Sequence, residues 1–391
     1  MIYLLKGADV YAPQHLGPQD ILLSGQQILK IAPNITLNGD DVVTIDATQC
    51  LAVPGFVDSL VHFCGGGGEG GFHTRTPEMQ LTEATLAGVT TVIGALGTDA
   101  TTRSHADLLA KAKALQTEGI STYCYTGSYQ LPPRTISGSV TDDIMLIEKF
   151  IGIGEVAIAD HRSSQPSSLE LSRIASQARV GGMLSGKGGI VSIHVGDSHT
   201  MLSLLHEVID TSDIPASQFY PTHINRNQAL LDAGVAWTKA GGAIDFTTST
   251  SQQIIAQGEI PAAEALAYCL RLGVNISQLT MSSDGNASLP VFNQQGELCG
   301  LEVGKVNSLY HSFLELINQH HVAIEDAVAS ITASPATILK LHNKGRLKAG
   351  NDADLVLLNK QNLGIDKVFA MGKLVVDKGL PLVTGTFENI P

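Results

Sequence analysis

The feature that most constrains the fold is an alternation of short apolar runs and helix-period stretches between about residues 54 and 340. Most of the helix-period stretches begin near Ser, Thr, Asp or Asn, the residues that cap helix N-termini. An apolar strand followed by a helix, repeated along the chain, predicts a parallel sheet. The predicted strands are 56–63, 89–95, 121–127, 153–159, 190–195, 219–224, 243–248 and 279–283.

Eight strands, each followed by a helix, predict an α/β fold in which the parallel sheet closes as a (β/α)8 TIM-like barrel. A doubly wound open sheet is the alternative. It is less favoured, because polar residues recur at the strand ends along the whole series and do not cluster at one switch point. The predicted helices are 76–87, 104–118, 139–150, 167–180, 199–209, 226–240 and 259–272.

The two ends of the chain differ from this central region. Residues 1–50 and 345–385 contain short alternating strands broken by Gly and Asn. Neither end has enough apolar surface for a core of its own. We therefore predict one small β-sandwich domain formed by both termini, with domain boundaries at residues 1–53, 54–343 and 344–391.

Composition and charge narrow the class of protein. The 391 residues carry a formal net charge of −13, which argues against binding to nucleic acid or to anionic lipid. Five scattered cysteines without a CxxC pair indicate free thiols in a reducing compartment. No signal peptide is recognisable at the N-terminus, and no run of about 18 apolar residues predicts a membrane span. These features predict a cytoplasmic protein.

Polar residues that can bind a metal fall at or near the ends of several predicted strands. They are His62, Glu155, His194, His223 and Asp284. In a (β/α)8 barrel such strand ends meet at one mouth, where imidazoles and carboxylates suit Zn²⁺ or a similar ion. For any one histidine a hydrogen-bonded core residue is the simpler interpretation. That interpretation weakens when all the groups share the same end of successive strands.

The chain resembles the amidohydrolase superfamily over nearly its whole length and, within it, the isoaspartyl (β-aspartyl) dipeptidases. The motifs that carry this resemblance are numerous and follow the family's order. They are Pro54-Gly-Phe-Val-Asp58, Gly65-Gly-Gly-Gly-Glu69, Thr74-Arg-Thr-Pro77, Gly97-Thr-Asp99, Thr126-Gly-Ser-Tyr129, Ala159-Asp-His-Arg162, Pro221-Thr-His-Ile-Asn-Arg226, Ser282-Ser-Asp-Gly-Asn-Ala-Ser288 and the return strand from Gly345 to Val356.

The resemblance implies a two-metal centre. In the family, a His-x-His pair and a late aspartate hold one metal, two later histidines hold the other, and a carboxylated lysine bridges them. The matching residues of this chain are His62, Asp284, His194 and His223. Two ligands are replaced: Leu60 takes the place of the first histidine, and Glu155 takes the place of the bridging lysine.

These two substitutions differ in their expected effect on metal binding. Leu60 donates nothing to a metal, whereas Glu155 offers a hard carboxylate on a shorter stem. His194, His223 and Glu155, with a water, would suffice for a catalytic zinc, so one zinc ion per chain is favoured over two. Cys64 would share a face with His62 if the strand continued, and it would then be a replacement ligand. A buried thiol without a metal is the simpler interpretation.

The resemblance also implies a pocket for a small acidic dipeptide. Glu69 would hold the α-ammonium group of the substrate, and Arg162 and Arg226 would bind its carboxylates, as a planar guanidinium does with two hydrogen bonds. For the arginines, ion pairs with Asp160 or Asp232 are the alternative. The remaining pocket residues would be Ser288 and the backbone near Gly67 and Thr98.

The activity implied is hydrolysis of β-aspartyl dipeptides by metal-activated water. Asp284 would move the water proton to the leaving amine, and Tyr129 would stabilise the oxyanion. The alternatives are a one-metal amidohydrolase for another acidic amide and a metal-poor relative that only binds or assembles. The resemblance further implies a homo-oligomer.

Overall fold

A computed structural model of the chain describes residues 2–293, 295 and 297–388. The N-terminal residues form strands, of which the first two partly alternate buried and more exposed side chains, as expected for a sheet with one covered face. These strands are β1 (Ile2–Tyr11), β2 (His15–Ser24), β3 (Gln27–Ala32), β4 (Val42–Asp46) and β5 (Cys50–Pro54).

The central strands are almost entirely buried, as parallel strands covered on both faces are. They are β6 (Phe56–Val61), β7 (Val89–Gly94), β8 (Ser121–Thr126), β9 (Phe150–Ile158), β10 (Ile190–Val195), β11 (Phe219–Thr222), β12 (Ile244–Thr247) and β13 (Leu279–Ser282). The first six form one parallel sheet in chain order, and β12 pairs in parallel with β13. All eight overlap the predicted strands.

Backbone hydrogen bonds bring the last of these strands back beside the first. His62 N donates to Gly285 O over 2.8 Å, and Asp284 N donates to Leu60 O over 3.1 Å. The buried Asp58 adds a side-chain link, because its Oδ1 accepts from Ser283 N over 2.9 Å. The parallel strands predicted from the sequence are thus confirmed, and β13 returns to β6 as a barrel requires.

Helices lie between the strands and begin at the expected caps. The side chain of Ser104 accepts from Asp107 N, and that of Ser167 accepts from Glu170 N, each in a capping box. The helices are α1 (Leu81–Thr85), α2 (His105–Glu118), α3 (Val140–Leu146), α4 (Ser168–Ser185), α5 (Ser203–Thr211), α6 (Gln228–Lys239), α7 (Gln252–Ala256), α8 (Ala262–Arg271), α9 (Ser308–Asn318), α10 (Ile324–Ser330) and α11 (Ala333–Ile338). Among the helices of the described residues, none is both long and apolar enough to cross a bilayer.

The chain then adds an antiparallel hairpin that the sequence analysis does not predict, followed by the C-terminal strands. The hairpin is β14 (Ser288–Phe292) and β15 (Leu298–Val303), and the last strands are β16 (Leu355–Asn359), β17 (Ile365–Ala370), β18 (Lys373–Asp377) and β19 (Leu380–Pro381). Between its described strands the hairpin contains residues 293–297, of which 294 and 296 lie outside the description.

Both chain ends share one sheet of nine strands within the described residues. Its centre is the antiparallel pairing of β5 with β16, which joins residues about 300 positions apart. This confirms that the two termini build a common β-structure. The sandwich arrangement and the domain boundaries remain predictions.

Lys344 links the terminal sheet to the parallel strands. Its buried ammonium group donates to Ser121 Oγ at the start of β8 over 2.6 Å and contacts Asp354 Oδ2, just before β16, at 2.5 Å. A second carboxylate, Asp352, lies 2.7 Å away. Removing the ammonium group would therefore leave buried carboxylate charge without compensation.

We predict that Lys344→Met lowers the free energy of unfolding by ~3–5 kcal/mol, because one partner of a buried ion pair is lost. Urea unfolding of purified protein measures this change. The control is Lys111→Met, since Lys111 pairs with the exposed Glu78 and should change stability by no more than ~1 kcal/mol. Equal losses in the two variants would contradict the prediction.

Candidate active site

Glu155, on β9, is the centre of the site. Its fully buried carboxylate faces three histidines: Oε1 lies 3.0 Å from His194 Nδ1 and 3.0 Å from His223 Nε2, while Oε2 lies 3.5 Å from His62 Nε2. Burial alone would raise the pKa of Glu155, but the histidine contacts outweigh it and hold that pKa well below its usual range. The carboxylate thus lies between two groups of candidate ligands, where the sequence places the bridging position.

His194 and His223 each have an outer partner that fixes the orientation of the ring. His194 Nε2 is 3.0 Å from Asp160 Oδ2, and His223 Nδ1 contacts Thr247 Oγ1. Each ring thereby turns its other nitrogen toward Glu155. Metal-binding histidines characteristically make such outer hydrogen bonds, which set the tautomer and support the ligand nitrogen.

The donor set fits a metal ion. Glu155, His194 and His223 each offer one ligand atom, and these atoms all lie within 4.8 Å of one another. The three residues are buried, and the set of two imidazoles and one carboxylate is one that Zn²⁺ accepts at catalytic sites. Burial, together with the charges of His194 and Arg226, lowers the pKa of His223 to about 4, so this ring is neutral and able to bind a cation near pH 7.

His62 and Asp284 form the other half of the site. His62 Nε2 approaches Asp284 Oδ1 at 3.2 Å, without the alignment of a hydrogen bond. Within the described residues, His62 Nδ1, Glu155 Oε2 and Asp284 Oδ1 are buried and have no hydrogen-bond partner. Burial disfavours a charged His62, but Asp284 and Glu155 overcome this and raise its pKa to about 10. The two carboxylates therefore favour a positive charge at His62.

Leu60 and Cys64 contribute no ligand atom to this half. Leu60 is buried in an apolar cluster with Ile93 and Tyr125. Cys64 packs in the helix-facing core and, among the described residues, is not part of the pocket lining. The reason is that β6 ends at Val61, so the alternation that would place Cys64 beside His62 does not continue.

A cavity of about 390 Å³ opens from these groups, and Glu69 stands in its wall. Ser288 Oγ donates to Glu69 Oε2 over 2.9 Å, and Thr98 Oγ1 donates to Oε1 over 3.2 Å. Gly67 lines the same cavity, two residues before Glu69. The structure thus places these four residues, to which the family resemblance gives a role in substrate binding, side by side.

Arg162 forms an ion pair with Asp160, the alternative to substrate binding expected from the sequence. It donates to both oxygens of Asp160, over 3.0 and 2.7 Å, and Nη1 lies 3.4 Å from Glu69. Burial alone would lower the pKa of Arg162, but the neighbouring Tyr129, Asp160 and Glu69 outweigh it and raise that pKa above its usual value. The guanidinium nevertheless lines the cavity and packs between the rings of Tyr129 and Phe292. Its position is compatible with both the ion pair and a contact with substrate.

Arg226 and Tyr129 meet at His194. Arg226 donates through Nε to Val195 O over 2.8 Å and lies 3.4 Å from His194 Nε2. It does not pair with Asp232; Asp232 Oδ1 instead accepts hydrogen bonds from Gln228 and Tyr268. The Tyr129 hydroxyl is 2.7 Å from His194 Nδ1. Burial, reinforced by the charge of Glu155, raises the pKa of Tyr129 well above its usual value, so the hydroxyl stays protonated and can donate a hydrogen bond.

Sequence reasoning missed the site roles of Asp160, Thr247 and Phe292. Asp160 and Thr247 follow or end strands β9 and β12, a position that could have marked them as partners of the histidines. Phe292 belongs to the hairpin, for which the sequence gives no comparable signal.

Comparison with known proteins agrees with this geometry. Residues 51–375 match the family model described as "Amidohydrolase family". The chain belongs to the amidohydrolase family. The resemblance to isoaspartyl dipeptidases is also confirmed: a β-aspartyl dipeptidase of Fervidobacterium islandicum AW-1, solved in complex with a β-Asp-Leu dipeptide, is 38% identical, with a TM-score of 0.91 and full coverage of both chains. Another structure of β-aspartyl dipeptidase from that organism is 36% identical, with a TM-score of 0.89 and the same coverage.

A dihydroorotase of Staphylococcus epidermidis (strain RP62A) is 35% identical over 89 residues, which span 23% of this chain and 20% of that protein. This match covers a short segment only, so it supports the family and no particular substrate.

We predict that Glu155→Gln weakens zinc binding by more than ~100-fold, because the carboxylate charge shared by three histidines is lost. Zinc titration of metal-free protein with a competing chelator measures the affinity. Asp197→Asn is the matched control, since Asp197 lines the same cavity but contacts none of the three histidines among the contacts described. Zinc binding of wild-type strength in Glu155→Gln would refute the assignment.

Proposed function

We propose that this amidohydrolase is a metal-dependent dipeptidase that cleaves β-aspartyl (isoaspartyl) dipeptides. The observation that carries the proposal is the carboxylate of Glu155 among three histidines, beside a cavity lined by Glu69, Arg162 and Arg226. A β-aspartyl dipeptide carries one ammonium group and two carboxylates, so this set matches its charges. Similarity over full length to a protein crystallised with β-Asp-Leu supports the same substrate class.

The metal is proposed to be zinc, held by His194, His223 and Glu155. When bound, zinc would polarise the scissile carbonyl and make water a stronger nucleophile near neutral pH. Asp284 lies beside His62, with Oδ1 3.2 Å from His62 Nε2, and lines the same cavity; it is proposed to accept the proton of the attacking water and to pass it to the leaving amine. Tyr129, protonated and next to His194, is proposed to donate to the oxyanion.

The rest of the cavity would bind and orient the dipeptide. Glu69 is proposed to pair with the α-ammonium group, and Ser288, Thr98 and the backbone at Gly67 surround that position. Arg226 has no carboxylate partner among the ion pairs of the described residues, so no carboxylate among them competes with a substrate carboxylate for its guanidinium. Arg162 would bind the other carboxylate only in competition with Asp160.

We propose that each chain binds one zinc ion. His62 and Asp284 offer two groups to a second metal, but Leu60 contributes only apolar surface at the missing position. Glu155 reaches toward His62 through Oε2, which supports a bridging role if a second ion is supplied.

Other properties also belong to the proposal. We propose that the eight parallel strands close as a (β/α)8 barrel and that the terminal strands form the β-sandwich. A cytoplasmic location is proposed from the scattered free cysteines and the composition, and a homo-oligomer is proposed by resemblance. The acidic charge supports the absence of nucleic-acid partners.

We predict that the zinc-loaded protein releases leucine from β-Asp-Leu and that Asp284→Asn lowers kcat by ~10²–10⁴-fold, as loss of general acid–base catalysis does. Amino-acid analysis of the product measures the rate. Asp197→Asn should retain wild-type kcat. A wild-type protein with bound zinc but no release of leucine would exclude the dipeptidase and favour hydrolysis of another acidic amide.

We predict that wild-type protein purified without added metal holds about one zinc per chain, as three protein ligands and a water provide for one site. Elemental analysis by mass spectrometry measures the ratio. Leu60→His combined with Glu155→Lys should raise the ratio toward two if the missing ligands limit occupancy. Two zinc ions in the wild type would contradict the one-metal proposal, and no metal after soaking would contradict any metal-dependent function.

A further inference from the structure

Arg103 is a buried arginine that neither the metal site nor the proposed chemistry uses. It is 6% exposed and stands immediately before Ser104, which caps α2. Its side chain donates to three main-chain carbonyls: Nε to Gly65 O over 2.8 Å, and Nη2 to Gly66 O over 2.9 Å and to Thr76 O over 3.1 Å. These carbonyls belong to the two ends of the loop 65–76, which carries Glu69.

The charge of Arg103 has no local carboxylate partner. Among the ion pairs of the described residues, none joins a carboxylate to Arg103 within 4.0 Å. Burial, with repulsion from Arg75, lowers the pKa of the guanidinium. A buried cation is unfavourable unless its hydrogen-bond donors are satisfied, and here backbone oxygens of one loop satisfy them. The arginine is therefore engaged with the loop and not with an ion pair.

The loop is shaped to accept this side chain. Gly65 has φ of 75°, which other residues rarely adopt, and a Cβ atom there would lie 2.4 Å from Thr76 O and 2.8 Å from Arg103 Nη2. Thr76 Oγ1 also accepts from Gly66 N over 2.6 Å. The two ends of the loop are thus held together at the point where Arg103 binds them.

The middle of the loop carries the groups assigned to the substrate. Gly67 pairs with Arg75 in a β-bridge, and Glu69 follows two residues later. Glu69 receives hydrogen bonds from Ser288 and Thr98, which belong to other segments of the chain. These contacts orient the carboxylate, but the backbone that carries it is held at both ends of the loop by Arg103.

We propose that Arg103 is a positioning residue that holds the loop 65–76, and so sets Gly67 and Glu69 for the ammonium end of the substrate. The substrate part of this inference rests on the proposed dipeptidase function. The structural part, that Arg103 fixes this loop, does not. A planar guanidinium suits the task because its fixed donors reach three carbonyls at once, whereas a lysine ammonium would not span the same set.

The first experiment measures the loop and requires no substrate. Hydrogen–deuterium exchange with mass spectrometry is compared for zinc-loaded wild type, Arg103→Lys, Arg103→Met and the control Arg173→Met, which alters an exposed arginine on α4. We expect amides of residues 65–76 to exchange at least ~10-fold faster in Arg103→Met, with α4 and β10 unchanged. Arg103→Lys should show a smaller increase, and it remains informative if the methionine variant folds poorly.

The second experiment measures the consequence for substrate. We expect Arg103→Met to raise KM for β-Asp-Leu by ~10–100-fold with less effect on kcat and none on zinc content, since contacts with the charged ammonium group weaken. In a Glu69→Gln background the same change should raise KM by less than ~3-fold, because the two residues act through one contact.

The outcomes separate this inference from the proposed function. Wild-type exchange of residues 65–76 in both Arg103 variants would overturn the inference whatever the activity. If Arg103→Met raises KM by the same factor with and without Glu69→Gln, the two residues act independently. That result would overturn the proposal that Arg103 acts on the ammonium end of the substrate through Glu69. Faster exchange of the loop in a protein whose wild type does not cleave β-Asp-Leu would uphold the role of Arg103 in the loop and reject the dipeptidase.

Discussion

The site depends on one buried carboxylate. Glu155 is enclosed by strands, and an ionised carboxylate in such surroundings is unfavourable by several kcal/mol unless donors or cations surround it. His194, His223 and His62 all face this carboxylate, and a metal ion would also compensate its charge. The need to compensate this charge therefore explains why histidines at the ends of three separate strands converge on one point.

Residues that contact the histidines also contact the substrate side of the cavity. Asp160 contacts both His194 and Arg162, so one carboxylate joins the metal-binding side of the cavity to its substrate side. Tyr129 packs against the His194 ring and beneath Arg162. Changes at either residue would disturb both metal binding and substrate binding, and effects of substitutions there should not be additive.

The sequence predicts the strands well because they follow from local pattern, whereas the assignment of metal ligands at their ends remains a prediction. A short apolar run such as 190–195 indicates a buried strand directly, and His194 lies next to the last residue of that run. What it missed depends on contacts between distant segments. The choice between Asp160 and a substrate carboxylate as the partner of Arg162 is set by how β9 ends. The hairpin of β14 and β15 gives a weak sequence signal, because its first strand is short and contains a proline and its second strand is mostly exposed. Leu60 shows the opposite case, since the absence of a ligand at this position is recognisable only by comparison with the family pattern.

The pairing of β5 with β16 also has a consequence for the order of synthesis. The strands of the first fifty residues leave the ribosome long before residues 355–359, their central partner, exist. At ~5–20 residues per second this delay is roughly 15–60 s. During that interval the nascent N-terminal strands have an unpaired edge, so the terminal sheet is completed only after residues 355–359 have been synthesised, and a chain truncated before β16 would expose that edge permanently.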